Sequence, residues 1–365
     1  MSSSRRRSTT INLPIRVVFT DEGLSYFMRH NRALQRLHLS DDRDEYGVKL
    51  EGFSAPTLQK LLLSGYISEI ELPVSSLTAQ RSAIIDFTKL LTYGMLYLQF
   101  DTSTYAMLLN SPMVKHWNRR NVRNPIDFRT RVDTERLESL LEQHRTDVGD
   151  ARRDILEAMQ ERIRTDDRLI DQEKRIRLLA AERYLDSMSR LSWLILALYR
   201  NTDAYARTIP AVRDELGSYV EKTVIGEYFA LMLIEVLTTM QAHDRHEYVD
   251  VGSRGEMYVL FKTRKDLTLE HDRGRLHVVV ADDRANFDEV QNALREKSKT
   301  TVRRKSLSDF YEAELGEATA ESPELGLYYV SFVQEACRNV NIHFQSFVHQ
   351  IETTGKTLVN LVLTF

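Results

Sequence analysis

The chain has 365 residues, of which 42% are hydrophobic and 28% are charged, and this composition excludes a wholly disordered protein. Fifty Lys and Arg residues against 53 Asp and Glu residues give a formal net charge of −3, so no global basic excess points to nucleic acid. The single cysteine, Cys337, excludes a disulfide framework and a multi-cysteine metal site.

The N-terminus predicts neither a secretory signal nor a membrane anchor. Residues 1–13 are expected to form a disordered tail, in which the arginines at 5–7 are followed by no apolar run before Pro14. The longest apolar runs, at 191–199 and 228–234, fall short of the about 20 residues that span a bilayer. We therefore expect buried helices, no transmembrane segment and a cytoplasmic location.

Residues 14–125 are predicted to form a small N-terminal α/β unit. A strand is expected at 14–20, followed by a helix at 22–37 that Asp21 could cap. The acidic patch at 41–45 is interpreted as a solvated loop, because its spacing differs from that of a calcium-binding loop.

The second half of this unit combines one strand with one long helix. Residues 66–72 alternate between apolar and polar side chains, as a half-buried strand does, and Pro73 is expected to end the strand. Helical periodicity then extends over residues 77–109.

Residues 126–215 are predicted to form a helical dimerisation segment. One stripe recurs in steps of three and four on a highly charged helix: Leu137, Leu141, His144, Val148, Ala151, Ile155, Met159 and Ile163. The stripe must be buried against another helix of the same chain or against a partner subunit, and it predicts a homodimer through 137–163. Residues 178–199 are expected at the centre of this region, and Pro210 at a helix boundary.

Residues 216–365 follow a different order of elements. A helix at 228–243 precedes strands at 256–262 and 275–281, a helix begins near 325–330 and continues to about 339, and strands at 341–350 and 356–365 close the chain around a turn at 353–355.

Three short blocks in this region resemble motifs of a known family: 235–239, 282–288 and 322–327. In order and spacing they are similar to the motifs of the ATP-binding domain of histidine kinases, anti-sigma-factor serine kinases and the related Hsp90/gyrase ATPases. The resemblance covers about 150 residues at the C-terminus. It implies an α/β sandwich within an α+β protein, with ATP and magnesium as possible cofactors.

Carried over by motif position, the resemblance implies a nucleotide site formed by Glu235, Thr239, Asp282, Asn286 and Gly326. Asp282 stands where the family's aspartate accepts a hydrogen bond from the adenine amino group. Glu235 stands where the family's glutamate activates water, so it is the catalytic candidate if the domain is active. As a structural residue, it would instead cap a buried network.

The departures from the family pattern weaken this site. Thr239 replaces the asparagine that holds magnesium, and a hydroxyl is a poor substitute for an amide oxygen. Arg284 and Asn286 replace glycines that allow close backbone approach to the nucleotide. Glu324 would add negative charge near the phosphates, and Gly326 alone of the last block's glycines is kept.

The expected affinity follows from these losses. Two costs on the order of 1–3 kcal/mol each would move a micromolar nucleotide toward millimolar, since about 1.4 kcal/mol is a factor of ten. The sequence thus favours a non-catalytic signalling or scaffold protein that uses a degenerate ATP-binding fold for protein contacts. The alternative is a protein kinase acting with Mg-ATP, either a partner-switching serine kinase or a divergent sensor histidine kinase.

Other candidate residues have a purely structural interpretation as well as a functional one. The basic run at 295–305 falls at the family's ATP lid and could grip phosphates, an acidic partner or nucleic acid, but a solvated loop is favoured. His243 and His246 lack an assignable third ligand, so no metal site is predicted. His144 could accept a phosphoryl group or simply pack, and Cys337 is expected to be a buried, inert thiol.

Overall fold

The computed structural model describes residues 13–29, 35–40, 43–49, 55–109, 112–123, 125, 134–169, 171–242, 257–268, 271–299, 328–338 and 340–365. These residues combine helices with one antiparallel sheet, which confirms the predicted α+β class. Their contacts form two compact units. The sheet unit comprises the described residues of 1–95, 225–305 and 309–365, and the helical unit those of 96–224.

The sheet unit is built on eight strands. Their bounds are β1 (Arg16–Phe19), β2 (Gln35–Ser40), β3 (Arg43–Lys49), β4 (Ile67–Val74), β5 (Met257–Thr268), β6 (His271–Asp282), β7 (His343–Gln350) and β8 (Thr357–Thr364). They lie in the order β2-β3-β1-β4-β5-β6-β8-β7, and each neighbouring pair is antiparallel.

The helices divide between the two units. Their bounds are α1 (Asp21–Arg29), α2 (Ala55–Leu63), α3 (Leu77–Leu109), α4 (Pro112–Arg120), α5 (Thr134–Gln143), α6 (Arg145–Thr165), α7 (Asp171–Ser187), α8 (Arg190–Tyr199), α9 (Asp203–Ala242), α10 (Phe287–Lys299) and α11 (Tyr328–Arg338). The division falls within α3 and α9.

Helices of the sheet unit pack on one face of the sheet. The ring of Phe87 on α3 lies 5.2 Å from that of Phe261 on β5, and the ring of Phe229 on α9 lies 6.4 Å from that of Phe344 on β7. Burial of such aromatic side chains stabilises the unit by excluding their large apolar surface from water.

One strand pair joins segments that the sequence assigns to separate domains. β4 pairs with β5, and Ile70 lies opposite Phe261. The fully buried side chains of Ile70 and Leu72 suit a central strand with neighbours on both sides. The segments predicted as domains 14–125 and 216–365 thus share one sheet, and their predicted boundaries differ from the division between the two units.

The predicted helix at 22–37 is wrong beyond Arg29, because α1 ends there and β2 begins at Gln35. Asp21 is not the cap, since the Oγ1 of Thr20 accepts a hydrogen bond from the N–H of Gly23 at 3.2 Å. Gly23 is required by a close approach: a Cβ there would lie 1.8 Å from the carbonyl oxygen of Tyr66.

The predicted loop at 41–45 is also wrong where the structure describes it, because β3 begins at Arg43. Backbone pairing with β2 makes this segment a strand. Pro73 does not end β4 but lies within it, opposite Tyr258.

Helix α3 has the predicted bounds, 77–109, which confirms that prediction. The boundary expected at Pro210 is wrong, because α9 continues through it. An internal proline costs a helix about 3 kcal/mol, and burial of the flanking Ile209 and Val212 offsets this cost.

The helical unit covers the apolar stripe of α6. Ala151, Ile155, Met159 and Ile163 are all buried, and α7 and α8 pack against this helix. From Ala151 to Ile163 the stripe is therefore buried within the chain, whereas Leu137, Leu141, His144 and Val148 are half-buried and the helix divides at His144. The homodimer through 137–163 stays a prediction. The expected centre at 178–199 forms the end of α7 and the largely buried α8.

The order of elements predicted for residues 216–365 is confirmed: α9, β5, β6, α11, β7 and β8 follow one another, with α10 as an additional helix after β6. The turn between β7 and β8 contains Gly355 at φ +69°, a conformation that glycine adopts without strain.

Among the described helices, α9 alone is long and apolar enough to cross a membrane by length and composition. Within its most apolar window, 67% of the residues are buried inside the fold. That burial is consistent with the core helix of a soluble protein.

Candidate functional site

Glu235 lies on α9 and faces the first turn of α11. Its Oε2 accepts a hydrogen bond from the backbone N–H of Tyr329 at 2.8 Å. The N–H groups of a first helical turn have no partner within the helix and favour an anion. The Glu235 carboxylate therefore occupies an anion-binding position at the N-terminus of α11.

An aromatic cluster holds α11 against α9 beside this contact. The ring of Tyr228 on α9 lies 6.3 Å from that of Tyr329 and 5.7 Å from that of Phe332. The Tyr329 and Phe332 rings lie 5.9 Å apart. The position of the α11 N-terminus relative to Glu235 is thus fixed by packing as well as by a hydrogen bond.

Asp282 ends β6 and is 1% exposed. Its Oδ1 accepts a hydrogen bond from the backbone N–H of Arg284 at 2.8 Å, and the Arg284 Nε lies 3.6 Å from the same oxygen. Opposite Asp282 on β8, the buried hydroxyl of Thr357 donates to the carbonyl of Ala285 at 2.9 Å. The turn after β6 is therefore held by Asp282 from within and by Thr357 from the neighbouring strand.

Asn286 begins α10 as its N-terminal cap. Its Oδ1 accepts from the N–H of Asp288 at 3.2 Å, and its Nδ2 donates to the Oε1 of Glu289 at 3.0 Å. The first bond satisfies a free N–H at the start of the helix, as capping asparagines do, and the second joins the two side chains across the first turn. This helical role explains the residue type at a position where the resemblance expects glycine.

Of the remaining predicted site residues, the structure describes only Thr239. Thr239 lies one turn after Glu235 on α9 and is 8% exposed. Gly326 lies outside the described residues, as does Glu324. Helix α11 links the pair on α9, Glu235 and Thr239, to the pair around the turn after β6, Asp282 and Asn286. Glu235 contacts the first turn of α11, and α10, which Asn286 caps, packs against α11.

Other sequence candidates have structural surroundings. His144 lies between α5 and α6, half-buried, with its Nδ1 3.1 Å from the Oδ2 of Asp147. Cys337 is buried, and burial raises the pKa of its thiol to about 12, as expected for an inert thiol. His243, His246 and residues 300–305 of the basic run lie outside the described residues.

Across the described ranges, no group of three His, Cys, Asp or Glu side chains is placed to hold a metal ion. The basic residues at 295–299, predicted as part of a loop, belong instead to the last turns of α10.

The helical unit contains a cluster of polar side chains that the sequence does not predict. Tyr97, Asp101 and Thr104 extend along α3, Tyr184 joins them from α7 and Glu215 from α9. The hydroxyls of Thr104 and Tyr184 form a buried hydrogen bond. These residues are separated by up to 118 positions, so no local motif could have indicated them.

Burial shifts the titration of both carboxyl groups in this cluster. Desolvation raises the pKa of Asp101, against a lowering by the hydrogen bond from the N–H of Ser189. Desolvation likewise raises the pKa of Glu215, and the charge of Asp101 adds to the rise, whereas hydrogen bonds from Thr104 and Ser103 lower it.

We expect Glu215→Gln to raise the free energy of unfolding at about pH 7, because the ionised carboxylate is disfavoured in the folded unit. A raised folded-state pKa means that wild-type stability falls as pH rises from the ordinary carboxyl value toward the raised one. Urea unfolding of both proteins should therefore give curves that converge near about pH 4 and separate toward neutrality. Glu182→Gln, at an exposed position on α7, is the control. A variant less stable than wild type at neutral pH would contradict the expectation.

Comparison with known proteins gives two matches. The model of a family described as "Family of unknown function (DUF8084)" matches residues 6–251 and 244–365. An uncharacterized protein of Treponema pallidum (strain Nichols) is 27% identical over 390 aligned positions, which cover 100% of each chain. No solved structure matches.

Proposed function

Because the chain belongs to the DUF8084 family, a family of unknown function, we propose its function from the site itself: a non-catalytic signalling or scaffold protein. In this proposal, a degenerate ATP-binding fold of the histidine kinase type makes protein–protein contacts instead of binding nucleotide. The element order from α9 to β8 supports the proposed fold.

The observation that carries the proposal is the bonding of Asp282. Its carboxylate would have to accept the adenine amino group, but its Oδ1 already accepts the N–H of Arg284 and lies 3.6 Å from the Arg284 guanidinium. Arg284 stands where the resembling family has glycine. Its backbone N–H therefore already donates to this carboxylate from within the chain, and its guanidinium adds a positive charge beside it.

Glu235 gives a second, independent reason. A helix N-terminus is a favourable position for a phosphate group, since its free N–H groups point at the ligand. At α11 one of these N–H groups is bonded to the Glu235 carboxylate at 2.8 Å. A triphosphate approaching the same turn would meet a negative charge and would have to displace it.

The fold can still serve as a platform for a partner protein. Asn286 caps α10 and the aromatic cluster on Tyr228 seats α11, so the surfaces around the former site are rigidly supported without ligand. A site whose residues bond one another needs no nucleotide to order it.

We expect calorimetric titration with ATP to show no binding up to about millimolar concentration, with or without magnesium. The physical reason is the internal pairing of Asp282 and Glu235 together with the Thr239 substitution. A double variant, Thr239→Asn with Arg284→Gly, should tighten binding relative to wild type by about tenfold or more, since it removes two obstacles. Binding of magnesium-ATP to the wild type in the micromolar range would overturn the proposal.

The second candidate is a protein kinase that acts with Mg-ATP. It is favoured by the retention of a buried aspartate, Asp282, at the end of β6, and by Glu235 one turn before Thr239 on α9. In that case Glu235 would activate water or the acceptor hydroxyl, and ATP binding would require magnesium. Micromolar binding that Asp282→Asn abolishes without unfolding the protein would establish this candidate.

A further inference from the structure

Strand β7 lies at one edge of the sheet. Within the described strands it pairs with β8 on one side and ends the strand order. Its sequence, His343 to Gln350, contains no Lys, Arg, Asp or Glu, no proline and no glycine. Edge strands of soluble proteins usually carry such residues, because they oppose pairing with a further strand.

The two faces of β7 differ in exposure. Phe344 points into the fold, where its ring lies 6.4 Å from that of Phe229. Gln345, Phe347 and His349 are exposed on the opposite face. Phe347 is 47% exposed, so a large aromatic surface stands at the middle of an edge that has no charged residue.

We propose that β7 pairs in antiparallel orientation with β7 of a second copy of this chain, about a two-fold axis at Phe347. Residues whose numbers sum to twice 347 then lie opposite each other. Phe347 faces Phe347 of the second copy, Gln345 faces His349, and Ser346 faces Val348. Aromatic pairs directly across two antiparallel strands are among the stabilising combinations.

The strand suits a second copy better than a partner of another sequence. Every cross-strand pair about this axis is neutral, so no like charges oppose each other. Nor does the edge carry a charge that would select a charged partner. An isologous contact buries both copies of Phe347 and uses both edges at once, so that the assembly closes at two subunits.

The contact is small and independent of whether nucleotide binds. One pair of eight-residue strands buries far less than the about 1,600 Å² of a standard stable interface. We therefore expect a dimer with a micromolar dissociation constant. Sedimentation velocity of the wild type should show the mass rising from monomer to dimer between about 1 and about 100 µM.

A cysteine placed on the axis tests the register. In Phe347→Cys the two thiols would face each other across antiparallel strands, with Cα atoms about 4.5–5.5 Å apart, which suits a disulfide. Mild oxidation should link this variant into a covalent dimer. In His343→Cys the two thiols would lie eight residues apart, about 27 Å, and should not link. The native Cys337 is buried and stays silent.

Charge reversal tests the interface with the same residue. Phe347→Lys and Phe347→Glu should each sediment as monomers, since like charges meet on the axis, and an equimolar mixture should recover the dimer. Phe347→Tyr should dimerise like the wild type. Three results would each overturn the proposal: a wild type that stays monomeric at about 100 µM, a lysine variant that still dimerises, or equal linking at positions 343 and 347. A monomeric wild type would leave β7 to a different protein.

Discussion

Ile155→Ala is expected to lower the free energy of unfolding by about 2–5 kcal/mol. Ile155 is fully buried in the middle of the α6 stripe, where α7 and α8 pack against the helix. Truncation removes apolar contacts and leaves a cavity that close-packed neighbours fill only in part. Urea denaturation followed by circular dichroism measures the loss.

Two features separate this expectation from the dimer that the stripe predicts. Truncation of a core residue lowers stability to the same extent at every protein concentration. It leaves the mass measured by light scattering unchanged. Leu179→Ala, at a 54% exposed position on α7, should change stability by less than about 0.5 kcal/mol and serves as the control. If Ile155→Ala left unfolding unaffected but shifted the mass toward monomer, the stripe would be an intersubunit contact.

Local periodicity predicted the elements that local packing decides. The helix at 77–109 was predicted with both ends correct, since its apolar positions recur at helical spacing and no proline or glycine cluster interrupts them. The end predicted for the helix at 22–37 was wrong because residues 35–40 pair with β3. Local propensity carries no information about a strand's pairing partner.

The pairing of strands that are distant in the chain could not be predicted from the sequence. β4 and β5 lie about 190 residues apart, yet Ile70 and Phe261 face each other. A single sequence orders its segments along the chain and assigns them to domains in that order. The antiparallel pairing of two distant strands is decided by backbone hydrogen bonds and by burial of their shared apolar face, which only the folded chain reveals.

The candidate site shows the same limit at the level of single residues. The motif positions placed Asp282 correctly at the end of a strand, whereas the helix that begins after Asn286 was not predicted. Their partners were not predictable, because the Arg284 N–H and the Asp288 N–H are recruited by the conformation of the turn. A motif states which residue types are present, whereas their bonding decides what the site can do.

Substitutions of Asp282 best distinguish the non-catalytic scaffold protein from the kinase that acts with Mg-ATP. We expect Asp282→Ala to lower the free energy of unfolding by about 1–3 kcal/mol, since the part-buried N–H of Arg284 loses its acceptor. Asp282→Asn keeps an oxygen at that position and should cost less. In neither variant should the response to ATP differ from that of the wild type. Thermal unfolding and calorimetry on the same samples measure both quantities.

A second variant tests the turn after β6 from the neighbouring strand β8. Thr357→Val removes only the hydroxyl that donates to Ala285, and should lower stability by about 1 kcal/mol. Asp288→Ala, at an exposed position in the first turn of α10, is the control and should cost under about 1 kcal/mol.

A structural role for Asp282 requires that Asp282→Ala and Thr357→Val weaken the same turn. Their effects should then combine non-additively in the double variant, as for neighbours in one hydrogen-bond network. A ligand-binding role requires instead that Asp282→Asn abolish nucleotide binding while leaving stability and the Thr357 effect intact. The two roles therefore predict different results for stability and for nucleotide binding. A carboxylate already bonded within its turn stabilises the protein, whereas one kept free to bind a base does not.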